Sequence, residues 1–400
     1  MNIAYITEGF PQRNQPFILL KVVELLRLGH KVTVFTRFIR DLDAHPDIRA
    51  NLKGNMKIVK LPVPDRVRPK DTLRGLPRAL QRPDRMIAAA RRSLSEKDRF
   101  SPFLMWNKSL PFLNGGFDLI HAHFGQLGRD YIDIMPALQI PMVVNFRGSD
   151  AMLDAKHRPE LYRHLFELVP MVITDTQYMK WLLAELGCDP AKITALPSEV
   201  DISYFEFTDR GRRACRRPTI ITVARFHWIK GIPYALEAMK ILKDKGVRFR
   251  YLLIGGGERD QEYRLMVEDY GLADCVEIKG ESDRDAVREA LYESEVFLMP
   301  SLFEALNTSL LEAQATGLPA VVTNVGGMPE AMKDGETGLL VPPRSPAAMA
   351  DKLQYMLENS EQRLEMGRKG RQQVEEKFSM DVLFPKLLQV YEDVAELKNK

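Results

Sequence analysis

The chain has 400 residues, 57 Lys or Arg against 54 Asp or Glu, and a net charge of +3. With 45% hydrophobic and 28% charged residues it has the composition of a globular protein, and it lacks the run of ~18 apolar residues that a membrane-spanning helix needs. Its length calls for two domains of about 150–200 residues each, and no nucleic-acid partner is expected.

The N-terminus, MNIAYITEGF, has no basic residue ahead of its apolar stretch, so residues 3–7 read as a first buried strand and not as a signal peptide. Residues 16–29 have helical spacing, with Gly29 placed to end the helix as its C′ residue. A strand over 31–36 follows. Between Arg66 and Lys108 lie twelve Lys or Arg and only four acids. Such an excess either attracts anionic head groups and phosphates or covers a solvated helical face. Further buried strands are read at 117–124, 141–146 and 171–176. The rhythm breaks at 197–218, which is polar, basic and aperiodic. It restarts with strands at 219–226, 251–257, 275–280, 296–301 and 319–324. Residues 379–400 read as a closing helix with Ser379 as N-cap and Pro385 marking a kink. Alternating strands and helices predict parallel, doubly wound α/β sheets. The expected division is an N-terminal domain over 1–197, a linker over 198–218, a second domain over 219–378 and the last helix over 379–400. Cys188, Cys215 and Cys275 are far apart and odd in number, which fits a reducing, cytoplasmic compartment.

Open α/β sheets bind ligands beyond the carboxyl ends of their strands. Arg225 and Lys230 directly follow the strand at 219–224. Two cations five residues apart in a loop can each meet oxygens of a different phosphate in one diphosphate, although a basic surface loop has the same pattern. Glu304 follows the strand at 296–301, and Asn307-Thr308-Ser309 is expected to cap a helix that carries Glu312 in its first turn. Gly255-Gly256-Gly257 lacks the full dinucleotide pattern, so a dehydrogenase is set aside. The triplets Asp41-Leu-Asp43 and Asp283-Arg-Asp285 read as solvated loop residues. His121 and His123 point the same way from a strand end without a companion carboxylate, so no metal site is expected there. His123 is read either as shaping an acceptor cleft or as a packed structural histidine.

This combination resembles the family 4 glycosyltransferases of GT-B fold. The residues that carry the resemblance are Arg225 and Lys230, Glu304 and Glu312, and Pro300-Ser301. With them go Gly317-x-Pro319, Gly326-Gly327-x-Pro329-Glu330 and Asp334-Gly335-x-x-Gly338. In the N-terminal half, Phe10-Pro11, Phe17-Ile18, His121-Ala-His123-Phe124 and Phe146-x-Gly148 look like the branch that builds bacterial exopolysaccharides such as colanic acid. The resemblance implies two Rossmann-like domains facing across a deep cleft, with the C-terminal helix crossing back to the N-terminal domain. It implies that Arg225 and Lys230 bind the donor diphosphate, helped by the amides of Leu306 and Asn307. Glu304 would contact the donor sugar, Glu312 the ribose, and the loop near Gly280 the base. Gly9 would let the backbone approach the phosphates.

Three positions depart from the family pattern. Arg147 stands where a His usually contacts the donor sugar, and a guanidinium cannot serve as a base at neutral pH. Ala305-Leu306-Asn307 replaces Gly-Phe-Gly, so Asn307 is a candidate for positive φ. Ser198-Glu199 replaces Asn-Gly in the linker. The expected activity is retaining, metal-independent transfer from a UDP- or GDP-sugar, with no cofactor, to a glycan or polyprenyl-diphosphate-linked acceptor. Residues 66–112, ending in Phe103, Trp106 and Phe112, would meet an anionic membrane at its inner face. Alternatives are a sugar-nucleotide epimerase of the same fold and an inactive sugar-nucleotide binding protein.

Overall fold

The computed structural model describes residues 1–12, 15–39, 54–61, 107–148, 150–211 and 217–399. The basic stretch at 66–106, with Phe103 and Trp106, lies outside the described residues, as do Asp41, Asp43 and Cys215. The chain divides into two compact units. The first comprises Met1–Thr174, Lys180–Leu196 and Lys386–Lys400, and the second comprises Asp175–Met179 and Pro197–Pro385.

The first unit is built on seven parallel strands. These are β1 (Asn2–Phe10), β2 (Lys31–Ile39), β3 (Met56–Lys60), β4 (Leu119–Ala122), β5 (Met142–Phe146), β6 (Met171–Thr174) and β7 (Ile193–Ala195), in the order β3-β2-β1-β4-β5-β6-β7. The second has six: β8 (Thr219–Val223), β9 (Arg250–Ile254), β10 (Val276–Gly280), β11 (Val296–Met299), β12 (Ala320–Thr323) and β13 (Gly338–Val341). Their order is β10-β9-β8-β11-β12-β13. Both are Rossmann-like α/β sheets, as the strand rhythm predicts. Central strands such as VFLM and AVVT are buried throughout because helices cover both faces.

Strand neighbours Ile220 and Ile221 feed opposite cores. Ile220 packs with Leu236, Leu253 and Leu353, while Ile221 packs with Phe297, Leu310 and Leu311. In each sheet the strand order reverses once, between β1 and β4 and between β8 and β11. Chain leaving the carboxyl ends of those strands diverges to opposite faces and opens a crevice. Arg225 and Glu304 follow the two switch strands of the second sheet, while Gly9 and His123 lie at the corresponding ends in the first.

The helix Pro16–Arg27 ends as its sequence indicates. Gly29, at φ +80°, donates to Leu26 O, and the amide of His30 donates to Leu25 O. The closing helix starts differently. It spans Met380–Glu396 with Pro385 inside it, and the hydroxyl of Ser379 donates back to Glu375 O and does not cap. Residues 198–211, expected as linker, pack onto the second unit. Phe205 is buried there, and the Arg210 guanidinium donates to the carbonyls of Leu291, Ser294 and Thr316. A guanidinium fan of this kind satisfies several strand- and helix-end carbonyls at once, which fixes an aperiodic segment without secondary structure.

Candidate functional site

The loops that leave β8 and β11 are tied together by backbone before any side chain is considered. Phe226 is fully buried and its amide donates to Gly256 O at 2.7 Å, anchoring the residue after Arg225. Trp228–Lys230 form one tight turn, ended by Gly231 at φ +63°. A Cβ at Gly231 would lie 2.1 Å from Pro300 O, so the two loops approach as closely as they do only because position 231 has no side chain. Leu302 N then donates to Ile229 O at 2.7 Å. Gly327 performs the same service on the far side, where a Cβ would meet Ala305 O at 1.9 Å.

On this frame Lys230 Nζ donates to Glu304 Oε2 at 2.6 Å, and both side chains are largely covered, at 13% and 11% exposure. Ser301 Oγ donates to the same oxygen at 3.0 Å. Arg225 is exposed, and its guanidinium has no hydrogen bond or ion pair among the described residues. The two cations of the predicted clamp thus differ: one is seated against a carboxylate and the other is unengaged. The helix Thr308–Ala315 follows. Asn307 takes φ −99°, not the positive φ expected of it, and caps the helix by accepting from Leu310 N at 2.8 Å. The amides of Thr308 and Ser309 have no intrahelical acceptor by position, and Leu306 and Asn307 are buried just ahead of them.

Glu312 lies on the second turn and not the first, five residues beyond the cap. The helix terminus therefore does little for its charge. Its residue surface is partly open, yet its carboxyl is desolvated and accepts no hydrogen bond among the described residues. That desolvation pushes its pKa up to about 7, against the opposing charge of Arg284. Arg284 itself stacks over Tyr204 at 3.8 Å and has its Nε buried without a hydrogen-bond partner. Gly280 closes β10 at φ +83°, where its carbonyl accepts from Gly255 N. Asp283 caps the helix Arg284–Tyr292, and Asp285 accepts from the Tyr204 hydroxyl, so that triplet is structural. Among the described residues no group of three or more His, Cys, Asp or Glu side chains is placed to hold a metal ion.

In the first unit Gly9 pairs with Phe38 inside β1, and the space beside it is filled by the Gln12 side chain. His123 is wholly buried, its ring 4.5 Å from Tyr5 and 4.1 Å from His121. Neither of its ring nitrogens has a hydrogen-bond partner among the described residues. Burial, then His121, Lys21 and Arg147, hold its pKa well below the usual imidazole range, so it is neutral. The packed reading of His123 thus describes its present surroundings. Arg147 is 8% exposed, with its guanidinium 3.7 Å from the centre of the Phe17 ring. Lys108 and Phe112, taken in the sequence as part of a membrane-facing stretch, are buried. Lys108 Nζ donates to Asp130 O, and Phe112 stacks on Phe35 at 4.2 Å.

Several contacts of interest escaped the sequence. Asp150 accepts from the amides of Gly125, Arg147 and Ala151, and burial pushes it up to about 7. It ties the segments that follow β4 and β5, and its signal was an acid in the turn after Phe146-x-Gly148. Lys21 is buried on the apolar face of the helix Pro16–Arg27, at a position the 3.6-residue period marks as inward. His121 is bonded on both sides, by the Tyr391 hydroxyl and by Asn145 Oδ1, while Tyr391 also meets the Tyr5 hydroxyl at 2.7 Å. Glu330 accepts from the amides of Gln177 and Tyr178, capping the helix Gln177–Glu185.

Residues 19–204 match the family model described as Glycosyltransferase Family 4, and residues 206–373 match Glycosyl transferases group 1. The chain is 28% identical to a putative colanic acid biosynthesis glycosyltransferase, WcaL, of Salmonella typhimurium, over 88% of this chain and 90% of that protein. It is 26% identical to the amylovoran biosynthesis glycosyltransferase AmsK of Erwinia amylovora, over 99% and 100%. Among solved structures it resembles a sucrose-phosphate synthase of Thermosynechococcus elongatus, with a TM-score of 0.75, 19% identity and 98% of each chain covered. It also resembles HepE of Anabaena in complex with UDP-glucose, with a TM-score of 0.75, 13% identity and 98% and 100% covered.

Proposed function

The chain belongs to the family 4 glycosyltransferases, and on that premise we propose that it moves a sugar from a UDP- or GDP-sugar to a glycan or polyprenyl-diphosphate-linked acceptor in exopolysaccharide synthesis. The observation that carries this reading is the grouping at the switch point of the second sheet. There Lys230 is seated on Glu304, Arg225 is unengaged, and a helix begins with unpaired amides. A diphosphate brings two negative charges to that place. Arg225 and Lys230 supply the opposing charge, and the amides of Leu306 and Asn307 add fixed donors. Because two side-chain cations already offset the charge of the departing diphosphate, the reaction needs no divalent ion and no cofactor.

Glu304, released in part from Lys230 when phosphate arrives, accepts from hydroxyls of the transferred sugar. Glu312 accepts from the ribose, and the backbone turn at Gly280 borders the base. Transfer proceeds with retention: the acceptor attacks from the face the diphosphate leaves, and a phosphate oxygen of the donor takes the acceptor's proton. No protein base is then required, which makes Arg147 in place of the family His compatible with turnover. On the first unit, Arg147 and, through its packing, His123 are assigned to shaping the acceptor side. The relatives' names, colanic acid and amylovoran glycosyltransferases, support an exopolysaccharide acceptor. The UDP-glucose complex of the Anabaena protein supports a nucleotide-sugar donor. The excess of Lys and Arg at 66–108 supports a cytoplasmic protein that meets the inner membrane face from one side.

A thermal-shift screen of UDP-, GDP- and ADP-sugars tests the donor assignment, because a ligand that binds only the native state raises the melting temperature. Stabilisation by one nucleotide series, abolished in Arg225→Ala, is expected. Stabilisation undiminished in both Arg225→Ala and Lys230→Ala would overturn it.

A further inference from the structure

Trp228 stands exposed beside the ion pair of the candidate site. The residue is 38% exposed, although it sits in a firmly anchored turn of the second unit. Neither Trp228 nor Phe303 is among the buried residues of the two clusters on either side of the second sheet. The turn and the loop after β11 meet at three points. Ile229 O accepts from Leu302 N at 2.7 Å, Lys230 meets Glu304 at 2.6 Å, and the rings of Trp228 and Phe303 stand edge to face with centroids 5.7 Å apart and planes at 77°. The aromatic pair and the ion pair are therefore held by the same two short segments. Phe303 directly precedes Glu304, and Trp228 precedes Lys230 by two residues. The part of the indole left exposed is apolar surface that a ligand ring can cover.

A pyranose has the complementary surface, with hydroxyls around its rim and C–H bonds on its faces. Binding sites for such amphipathic rings combine an apolar wall with a few fixed polar groups. We infer that Trp228, braced by Phe303, is the platform on which the transferred sugar of the donor rests. The indole covers the C–H face of a neutral hexopyranose whose hydroxyls donate to Glu304. A neutral ring fits because an acidic sugar would bring a second carboxylate to Glu304, whose partner Lys230 also serves the diphosphate. This inference rests on the donor reading of the site and assigns the sugar within it.

The test uses the full chain with two independent readouts. Melting temperature reports binding of UDP-glucose, UDP-galactose, UDP-N-acetylglucosamine and GDP-mannose, each beside its nucleoside diphosphate. The fluorescence difference between wild type and Trp228→Phe isolates the signal of Trp228 from those of Trp106 and Trp181. The expected result is that the nucleotide sugar which stabilises the protein most also changes Trp228 emission, whereas its diphosphate stabilises without that change. Trp228→Ala should then lose about threefold to tenfold in affinity for the nucleotide sugar and nothing for the diphosphate, while Trp228→Phe keeps most of it. An equal Trp228 response to the diphosphate alone would place the nucleotide on the ring and overturn the inference. So would stabilisation by a nucleotide sugar with no Trp228 response. Absence of stabilisation by all four would instead remove the donor reading itself, and the platform with it.

Discussion

Replacing Glu312 by Gln and following donor affinity against pH probes the site through its most unusual group. In the free protein the Glu312 carboxyl is desolvated, accepts no hydrogen bond among the described residues, and has its pKa pushed up to about 7. Ribose hydroxyls that donate to it stabilise the ionised form, so its pKa falls on binding and a proton is released. If the bound value returns to the ordinary 4.5, linkage makes binding weaken about tenfold from pH 8 to pH 6 and about seventyfold from pH 8 to pH 5. The nucleotide sugar is the right probe, because its diphosphate is a diester with no proton to lose in this range. Isothermal titration in two buffers of different ionisation enthalpy would count the protons, with close to one released per site at pH 6. The decisive comparison is with Glu312→Gln, whose affinity should be flat over the same range. Equal pH slopes in wild type and Glu312→Gln would refute the ribose assignment.

The same group gives a stability prediction of opposite use. Folding raises the pKa of both Glu312 and Asp150 to about 7 from ordinary values of 4.5 and 3.8. The folded state therefore holds protons the unfolded state has lost, and this contribution is complete below about pH 4 and gone above about pH 7. Glu312→Gln should raise stability at pH 8 by up to about 3 kcal/mol and change it little near pH 4.5; denaturant melts with no gain at pH 8 would contradict the burial argument. Arg225→Ala and Lys230→Ala should each lose on the order of 10²-fold in turnover, by comparison with removal of other preorganised donors. They should differ in stability, because Arg225→Ala leaves nothing unpaired whereas Lys230→Ala strands the covered Glu304 carboxylate at a cost of about 2 kcal/mol. Chemical denaturation distinguishes them, and equal stability losses would argue against the ion pair. Tyr391→Phe removes the hydroxyl shared by Tyr5 and His121 and should cost about 1–3 kcal/mol; an unchanged unfolding midpoint would mean that the contact does not anchor the last helix.

Strands buried on both faces were legible because their apolar runs are continuous and bounded by turn residues. The three that escaped are short strands at sheet edges: MKIVK has five residues, ITA three and GLLV four. Arg225, Lys230 and Glu304 were legible for a related reason, since chain just beyond a parallel strand must lie near the crevice. What spacing could not convey was who neutralises whom. The seating of Lys230 on Glu304 depends on Gly231 clearing Pro300 O, which is a contact between distant segments. Asn307 caps its helix as expected, while positive φ stayed a second candidate because its identity suits both and only the following helix decides. Phe112 looked like the apolar end of a basic stretch, but its ring belongs with Phe35 and Phe117. Lys21, Asp150 and Tyr391 are buried polar groups whose partners come from other elements, so local sequence carries only a faint trace of them.

The most direct measurement is a crystal structure with the best-stabilising nucleotide sugar bound. The diphosphate should lie within hydrogen-bonding reach of Lys230 Nζ and the Arg225 guanidinium, ahead of the helix Thr308–Ala315, with Glu312 on the ribose hydroxyls. Phosphates bound away from Arg225 and Lys230 would contradict the assignment of this switch point as the place where the donor is held.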